Sequence, residues 1–271
     1  MEEIAYAKIN LALHVRARER DGYHRIETLF AFAEDGDRLS AAPAPGLSLA
    51  IDGPFAAGLG ADDGNLVLRA ARTLASRYDV RSGAALRLEK RLPIAAGIGG
   101  GSADAAAALR LLSRLWTISA DPEALHEVAA SLGADVPACL RSETMRGEGR
   151  GDRLVPAFEP GLTGTSLLLV NPIVPVPTGA VFAAWDGIDR GALGLDWRSG
   201  RNDLEAPAMH IAPVIGEVLA ALHDSGGKDA RMSGSGATCF ALFDTRQSRD
   251  AAQARIMATF PHWWTMATRL R

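Results

Sequence analysis

Residues 97–102 read Gly-Ile-Gly-Gly-Gly-Ser, four glycines in six positions, and run straight into Ala103-Asp104-Ala105-Ala106-Ala107-Ala108. Glycine has no Cβ, so such a loop reaches positive φ and brings backbone N–H groups close to a partner. The alanine run is a strong helix former, so the loop feeds a helix N-terminus. Unpaired N–H groups and the positive end of the helix dipole together favour a phosphate. A tight turn packed against a neighbouring helix is the bland alternative. Known phosphate loops do not fit. A Walker A loop ends in Gly-Lys-Ser/Thr, and no lysine follows these glycines. The dinucleotide fingerprint needs glycine where Ser102 stands, and the His-Arg-Asp and Asp-Phe-Gly signatures of protein kinases are missing. The loop points to phosphate and, by itself, to no reaction.

Periodicity predicts strands over 4–15 and 23–33, shorter ones over 37–41 and 47–51, and an amphipathic helix over 65–78 with Asn65 as an N-cap. A strand over 84–89 precedes the glycines, and helices follow over 103–116 and 122–132, the last bounded by Asp121 and Gly133. After Arg150 the composition shifts, and Pro156, Pro160, Gly161 and Gly164 suggest a hinge. Beyond it, a buried strand over 166–171, helices near 179–184, 204–209 and 214–223, a strand–glycine turn–strand over 229–244, a helix over 249–259 and a last strand are predicted. Strands and helices interleave in both halves. The expectation is two α+β domains, 1–155 and 156–271, with a cleft between them.

Composition narrows the classes. The 271 residues are 48% hydrophobic, enough for packed cores, and the net charge of −3 with no basic stripe excludes a nucleic-acid module. Cys139 and Cys239 lie far apart in apolar surroundings, which fits buried thiols in a reducing compartment. The stretch Met1-Glu2-Glu3-Ile4-Ala5-Tyr6 has neither the basic segment nor the long apolar core of a signal peptide, and no apolar run approaches the about 20 residues needed to cross a membrane. A cytoplasmic protein, monomer or homodimer, is expected. His14, His24, His126, His210, His223 and His262 are scattered, so no dedicated metal cluster is visible.

Three further features carry chemistry. Arg231-Met232-Ser233-Gly234-Ser235-Gly236-Ala237 is either a hairpin turn or the other wall of a nucleotide site. Lys8 lies in a strand-like segment, where it either snorkels at a sheet edge or serves the site. Asp135, in Gly133-Ala134-Asp135-Val136-Pro137, is either a structural cap or an acid/base.

Together these segments resemble the GHMP kinase family, named for galactokinase, homoserine, mevalonate and phosphomevalonate kinases. Its three motifs stand in order at 6–13, 92–103 and 231–239. The resemblance spans nearly the whole chain. It implies an N-terminal domain like ribosomal S5 domain 2, a ferredoxin-like C-terminal domain, and γ-phosphoryl transfer from ATP with Mg²⁺ shielding the phosphates. Ala7-Lys8-Ile9-Asn10-Leu11, Asp21-Gly22-Tyr23-His24, Gly133 to Pro137 and Asn202-Asp203-Leu204-Glu205 are similar to a branch that phosphorylates the 2-hydroxyl of a methylerythritol carrying a cytidine diphosphate, in the non-mevalonate route to isoprenoid precursors.

The same resemblance assigns roles. Asp135 matches the catalytic base and Lys8 its cationic partner, which suits a tertiary alcohol whose proton must leave as the P–O bond forms. The ATP loop comprises Pro93, Ile94, Ala95, Ala96, Gly97, Ile98, Gly99, Gly100, Gly101, Ser102 and Ala103, with Asn65 near adenine and Lys90 at the nucleotide. Tyr23 and His24 would read the cytosine and Phe182 stack on it, while Asn10 and Thr178 would hydrogen-bond substrate hydroxyls. Gly64, where relatives often have aspartate, is a departure on the adenine side. A kinase for another small alcohol, or a nucleotide sensor without catalysis, are the competing readings. Tyr23, His24 and Phe182 argue against the first, since a base reader is useless without a base. Lys8 and Asp135 argue against the second.

Overall fold

A computed structural model describes all 271 residues. The chain divides into two compact units, neither continuous in sequence: Met1–Ala7, Asp35–Ile94 and Gly99–Ser142 form the first, and Lys8–Glu34, Ala95–Ile98 and Glu143–Arg271 the second. Two long strands, β1 (Glu2–Arg18) and β2 (His24–Ala44), pair with each other and contribute to both units. The strand expected over 23–33 and the shorter one over 37–41 are therefore one. Gly36 lets β2 run on unbroken: a Cβ there would sit 1.9 Å from the carbonyl oxygen of Ala5 on β1. Only glycine accepts so close a backbone approach.

In the first unit, Arg38–Ala44 of β2 pairs antiparallel with β4 (Gly83–Glu89), and β4 pairs parallel with β3 (Leu47–Asp52). Four helices follow: α1 (Leu66–Arg77), α2 (Gly100–Leu115), α3 (Pro122–Leu132) and α4 (Val136–Arg141). Asn65 and Asp121 cap α1 and α3, accepting from the backbone N–H of Val67 and Ala124. The alanine run is the interior of this unit. Ala103 and Ala105–Ala108 are buried, and their small side chains let α1 and α4 pack closely on α2. Helix α2 begins three residues earlier than expected, inside the glycines. α4 has no amphipathic signal in its six residues and was not foreseen.

In the second unit, Ile26–Phe30 of β2 pairs with β5 (Met145–Gly149), which pairs with β6 (Arg153–Pro156). Neither short strand is expected: β5 is Met-Arg-Gly-Glu-Gly, a charged, glycine-rich stretch, and β6 is only Arg-Leu-Val-Pro. Gly147 explains the composition, since a Cβ there would lie 2.6 Å from the Phe30 ring. The rest is an antiparallel sheet in the order β10 (Trp264–Arg269), β7 (Ser166–Asn171), β9 (Cys239–Phe243), β8 (Lys228–Met232). With α7 (Val214–Asp224) and α8 (Arg246–Thr259) the sequence of elements is β7-α7-β8-β9-α8-β10, the ferredoxin-like arrangement. α5 (Thr178–Ala183) and α6 (Glu205–Ile211) are inserted after β7. Every residue of β7 is buried, which is why Leu167-Leu168-Leu169-Val170 shows no alternation.

Candidate active site

The glycine loop runs through left-handed backbone. Ala95, Gly97 and Gly99 all have positive φ, and Gly99, left-handed at φ 63°, stands at the N-cap of α2. It brings no side chain to cap the helix, so the first-turn N–H groups of α2 have no side-chain acceptor. Residues 95–98 dock on the second glycine turn. Ser233 Oγ donates to the carbonyl of Gly97 at 3.0 Å, and the N–H of Thr238 donates to that of Ala96 at 3.1 Å. A Cβ on Gly97 would meet the Ser233 carbonyl oxygen at 2.4 Å. The 233–236 turn is thus a brace for the loop. Asn202 holds that turn, donating to the carbonyls of Met232 and Gly234 at 2.8 Å each, and Glu205 accepts from the N–H of Met232.

Beneath the start of α2 lies a buried ionic cluster. The Lys90 ammonium donates to Asp37 and, at 2.7 Å, to Asp104. A Cβ on Gly100 would lie 3.1 Å from Lys90 Nζ. Asp37 also accepts from the backbone N–H groups of Arg91 and Leu92. Asp104 accepts from Lys90 alone while also facing the Asp37 carboxyl group, and its Oδ1 is buried without a hydrogen-bond donor. Burial, above all, pushes the Asp104 carboxyl up to about 8 against the pull of Lys90. Burial alone would lower Lys90, but the two carboxylates outweigh it and raise it. Asp37 and Asp104 carry no motif signal. Asp104 sits within the alanine run, where an acid facing the interior was the available clue.

On β1, Lys8 is buried, its N–H donating to the carbonyl of Ile98 at 3.0 Å and its Nζ to Asn10 Oδ1 at 2.7 Å. The ammonium also lies 5.2 Å from the centre of the Phe30 ring. It is therefore an interior lysine, not one snorkelling at a sheet edge. Asn10 Nδ2 donates to Thr28 Oγ1, whose hydroxyl donates to the carbonyl of Ala12, and Asn10 N–H donates to Ser233 Oγ. This chain of bonds fixes Lys8, Asn10, Ser233 and Gly97 as one array within the second unit. Asp135 belongs to the first unit. It precedes α4, half-buried, and makes no capping bond to that helix. Arg110 on α2 steadies α4 from its other end, donating to the carbonyls of Cys139 and Leu140, and ties it to β1 through Glu3 and Ile4.

The residues expected to read a base also lie in the second unit. His24 is buried against Phe182, ring centres 5.0 Å apart, and meets Trp185 edge-on at 5.7 Å. Tyr23 is exposed, and the Arg150 guanidinium covers its ring at 3.8 Å while also pairing with Asp21. Thr178, at the start of α5, shares a hydrogen bond with Ser235 of the second turn at 2.9 Å. Asn65 caps α1 and donates to the carbonyl of Gly60; the first residue of α1, Leu66, lies 3.5 Å from a Cβ placed on Gly101. No group of three or more His, Cys, Asp or Glu side chains is placed to hold a metal ion.

Known proteins resemble this chain along its whole length. The models of the GHMP kinase N-terminal and C-terminal domains match residues 65–143 and 190–262. The chain is 57% identical to a 4-diphosphocytidyl-2-C-methyl-D-erythritol kinase of Rhizorhabdus wittichii, covering 99% of this chain and 94% of that protein. It is 54% identical to one of Novosphingobium aromaticivorans, covering 100% and 93%. A crystal structure of 4-(cytidine 5'-diphospho)-2C-methyl-D-erythritol kinase superposes with a TM-score of 0.83 at 34% identity, over 100% of this chain and 99% of that one. No helix is long and apolar enough to cross a membrane. By sequence, by fold and by the strained glycine loop at the head of α2, the chain belongs to the GHMP kinase family.

Proposed function

We propose that this kinase transfers the γ-phosphoryl group of ATP to the 2-hydroxyl of 4-(cytidine 5'-diphospho)-2-C-methyl-D-erythritol, giving the 2-phosphate and ADP in the non-mevalonate route to isoprenoid precursors. The observation that carries the substrate is His24 held against Phe182, a polar ring edge beside an aromatic face, as a nucleobase requires. The relatives' names support the same reaction. Homoserine and mevalonate kinases share the fold at 16–17% identity or below, and they bear on nothing finer.

Chemically, the 2-hydroxyl oxygen attacks the γ-phosphorus, the bond to the β,γ-bridging oxygen breaks, and the hydroxyl proton passes to Asp135. Lys8 supplies positive charge against the negative charge that develops. The first-turn N–H groups of α2 and residues 93–103 hold the phosphates of Mg·ATP, Mg²⁺ supplying charge neutralisation there. Asn65 stands on the nucleotide side, and Lys90, engaged by Asp37 and Asp104, acts there by holding the start of α2. Asn10, whose amide oxygen has a second lone pair, and Thr178 bind substrate hydroxyls, and Tyr23 closes over the base. Along the sequence we place the functional domains at 1–155 and 156–271, with one family match on each side of that boundary. Coupled ADP release tests the reading: the cytidine-linked substrate is expected to turn over and homoserine and mevalonate are not. Comparable turnover of mevalonate would overturn it.

A further inference from the structure

Arg18, the last residue of β1, has no role in the scheme above, yet it bonds to both halves of the base reader. Its Nε–H donates to His24 Nε2 at 3.2 Å, and its Nη2 donates to the carbonyls of Phe182 at 3.4 Å and Ala183 at 3.1 Å. A guanidinium has five N–H donors, no acceptor, and keeps its proton throughout the working pH range. Its contact with a ring nitrogen therefore has one possible polarity. Nε2 of His24 must be the acceptor, and the neutral ring must carry its proton on Nδ1. Phe182 and Trp185 pack against the ring, and a flip would put a carbon where Arg18 needs an acceptor. Burial first, and the Arg18 charge second, also lower the tendency of His24 to take a second proton.

The consequence lies in what such a ring can recognise. Cytosine presents an unprotonated N3 and a carbonyl O2 side by side, both acceptors. Uracil presents N3–H, a donor, at the same place. A ring edge limited to Nδ1–H matches the first and leaves two donors facing each other with the second. We infer that Arg18 is a positioning residue that locks His24 in its Nδ1–H form and so makes the pocket select a cytidine-linked over a uridine-linked alcohol. By holding the end of α5, the same side chain also sets the spacing of Phe182 from His24. The inference rests on the cytidine-linked substrate proposed above.

The test has two arms. In the ¹⁵N spectrum of the unliganded wild-type protein labelled at histidine, Nε2 of His24 is expected to be of the unprotonated type and Nδ1 of the protonated type; the reverse assignment, or rapid exchange between the two, overturns the inference. In the second arm, kcat and KM are measured with cytidine-diphosphate and uridine-diphosphate methylerythritol for wild type, Arg18→Met and Arg18→Lys. Arg18→Met is expected to lower the cytidine-to-uridine ratio of kcat/KM at least about tenfold, mainly through KM, as one hydrogen bond loses its fixed polarity. Arg18→Lys, which keeps one donor for Nε2, is expected to recover part of the ratio even if the Met variant folds poorly. Unchanged discrimination in both variants overturns the inference. If the wild type phosphorylates neither alcohol, the proposed substrate fails, and the spectrum still decides the state of His24.

Discussion

Replacing Asp104 by asparagine is expected to leave the protein folded and to make it gain stability over the wild type as pH rises. The reason lies in the buried cluster under α2. Lys90 faces two carboxyl groups, of which Asp37 has three donors and Asp104 one, and the second oxygen of Asp104 has none. The folded protein therefore holds a proton on Asp104 up to about pH 8. The unfolded chain gives that proton up near pH 4. A folded-state pKa raised in this way contributes stability in full below about pH 4 and loses it as pH climbs toward 8. The loss amounts to at most about 1.4 kcal/mol per pH unit across that window. Asparagine keeps an acceptor for Lys90 and has nothing to titrate, so it escapes the loss. Urea unfolding of wild type and Asp104→Asn at pH 5, 6, 7 and 8 reads the effect directly: the difference in stability should tilt toward asparagine with each step. Asp37→Asn, which strips a partner from three donors, is the control and is expected to cost about 3–5 kcal/mol. Parallel stability curves for wild type and Asp104→Asn would refute the reasoning, as would an Asp104→Asn variant that fails to fold.

Two other perturbations probe the site. Asp135→Asn is expected to cut kcat by at least ~100-fold with ATP affinity retained, measured by ADP release and by nucleotide titration; near-normal kcat removes Asp135 as the base. Gly97→Ala, at φ 75° with its Cβ 2.4 Å from the Ser233 carbonyl oxygen, is expected to cost about 1–3 kcal/mol and to weaken ATP binding, read by thermal melting and calorimetry. A variant that melts and binds like wild type would show that the two turns are not clamped together.

Much of the fold was legible because local signals and tertiary structure agree. Asn65 and Asp121 cap the helices they precede, β7 is the apolar run over 166–171, and the 229–244 stretch folds as strand, turn and strand. The misses share a cause: glycine placed for a partner far away in sequence. Gly36 reads as a break but is where β2 crosses Ala5, and Gly147 reads as loop but makes room for Phe30. Helix α4 is too short for periodicity. At the site, the structure sets the glycine loop at the head of α2 and His24 against Phe182, a pairing that the family resemblance implies and the residue types alone do not. Residues that act by holding others were not legible. Asp37, Asp104 and Arg18 lie outside the features read as chemical, and Ser233 and Asn202, though inside such features, show their bracing role only through bonds spanning up to 223 positions, as from Asn10 to Ser233. Lys90 reads as a nucleotide ligand, and its ammonium is already engaged by two carboxyl groups.

The central claim is that a phosphoryl group moves from ATP to an alcohol while the cytidine diphosphate survives. ³¹P NMR of the wild-type enzyme with Mg·ATP and 4-(cytidine 5'-diphospho)-2-C-methyl-D-erythritol follows every phosphorus at once. One new monoester resonance without three-bond coupling to hydrogen, as a phosphate on the tertiary 2-carbon requires, an intact pair of cytidine diphosphate resonances and stoichiometric ADP are the expected result. Loss of the diphosphate pair, or ADP with inorganic phosphate and no new ester, would contradict it.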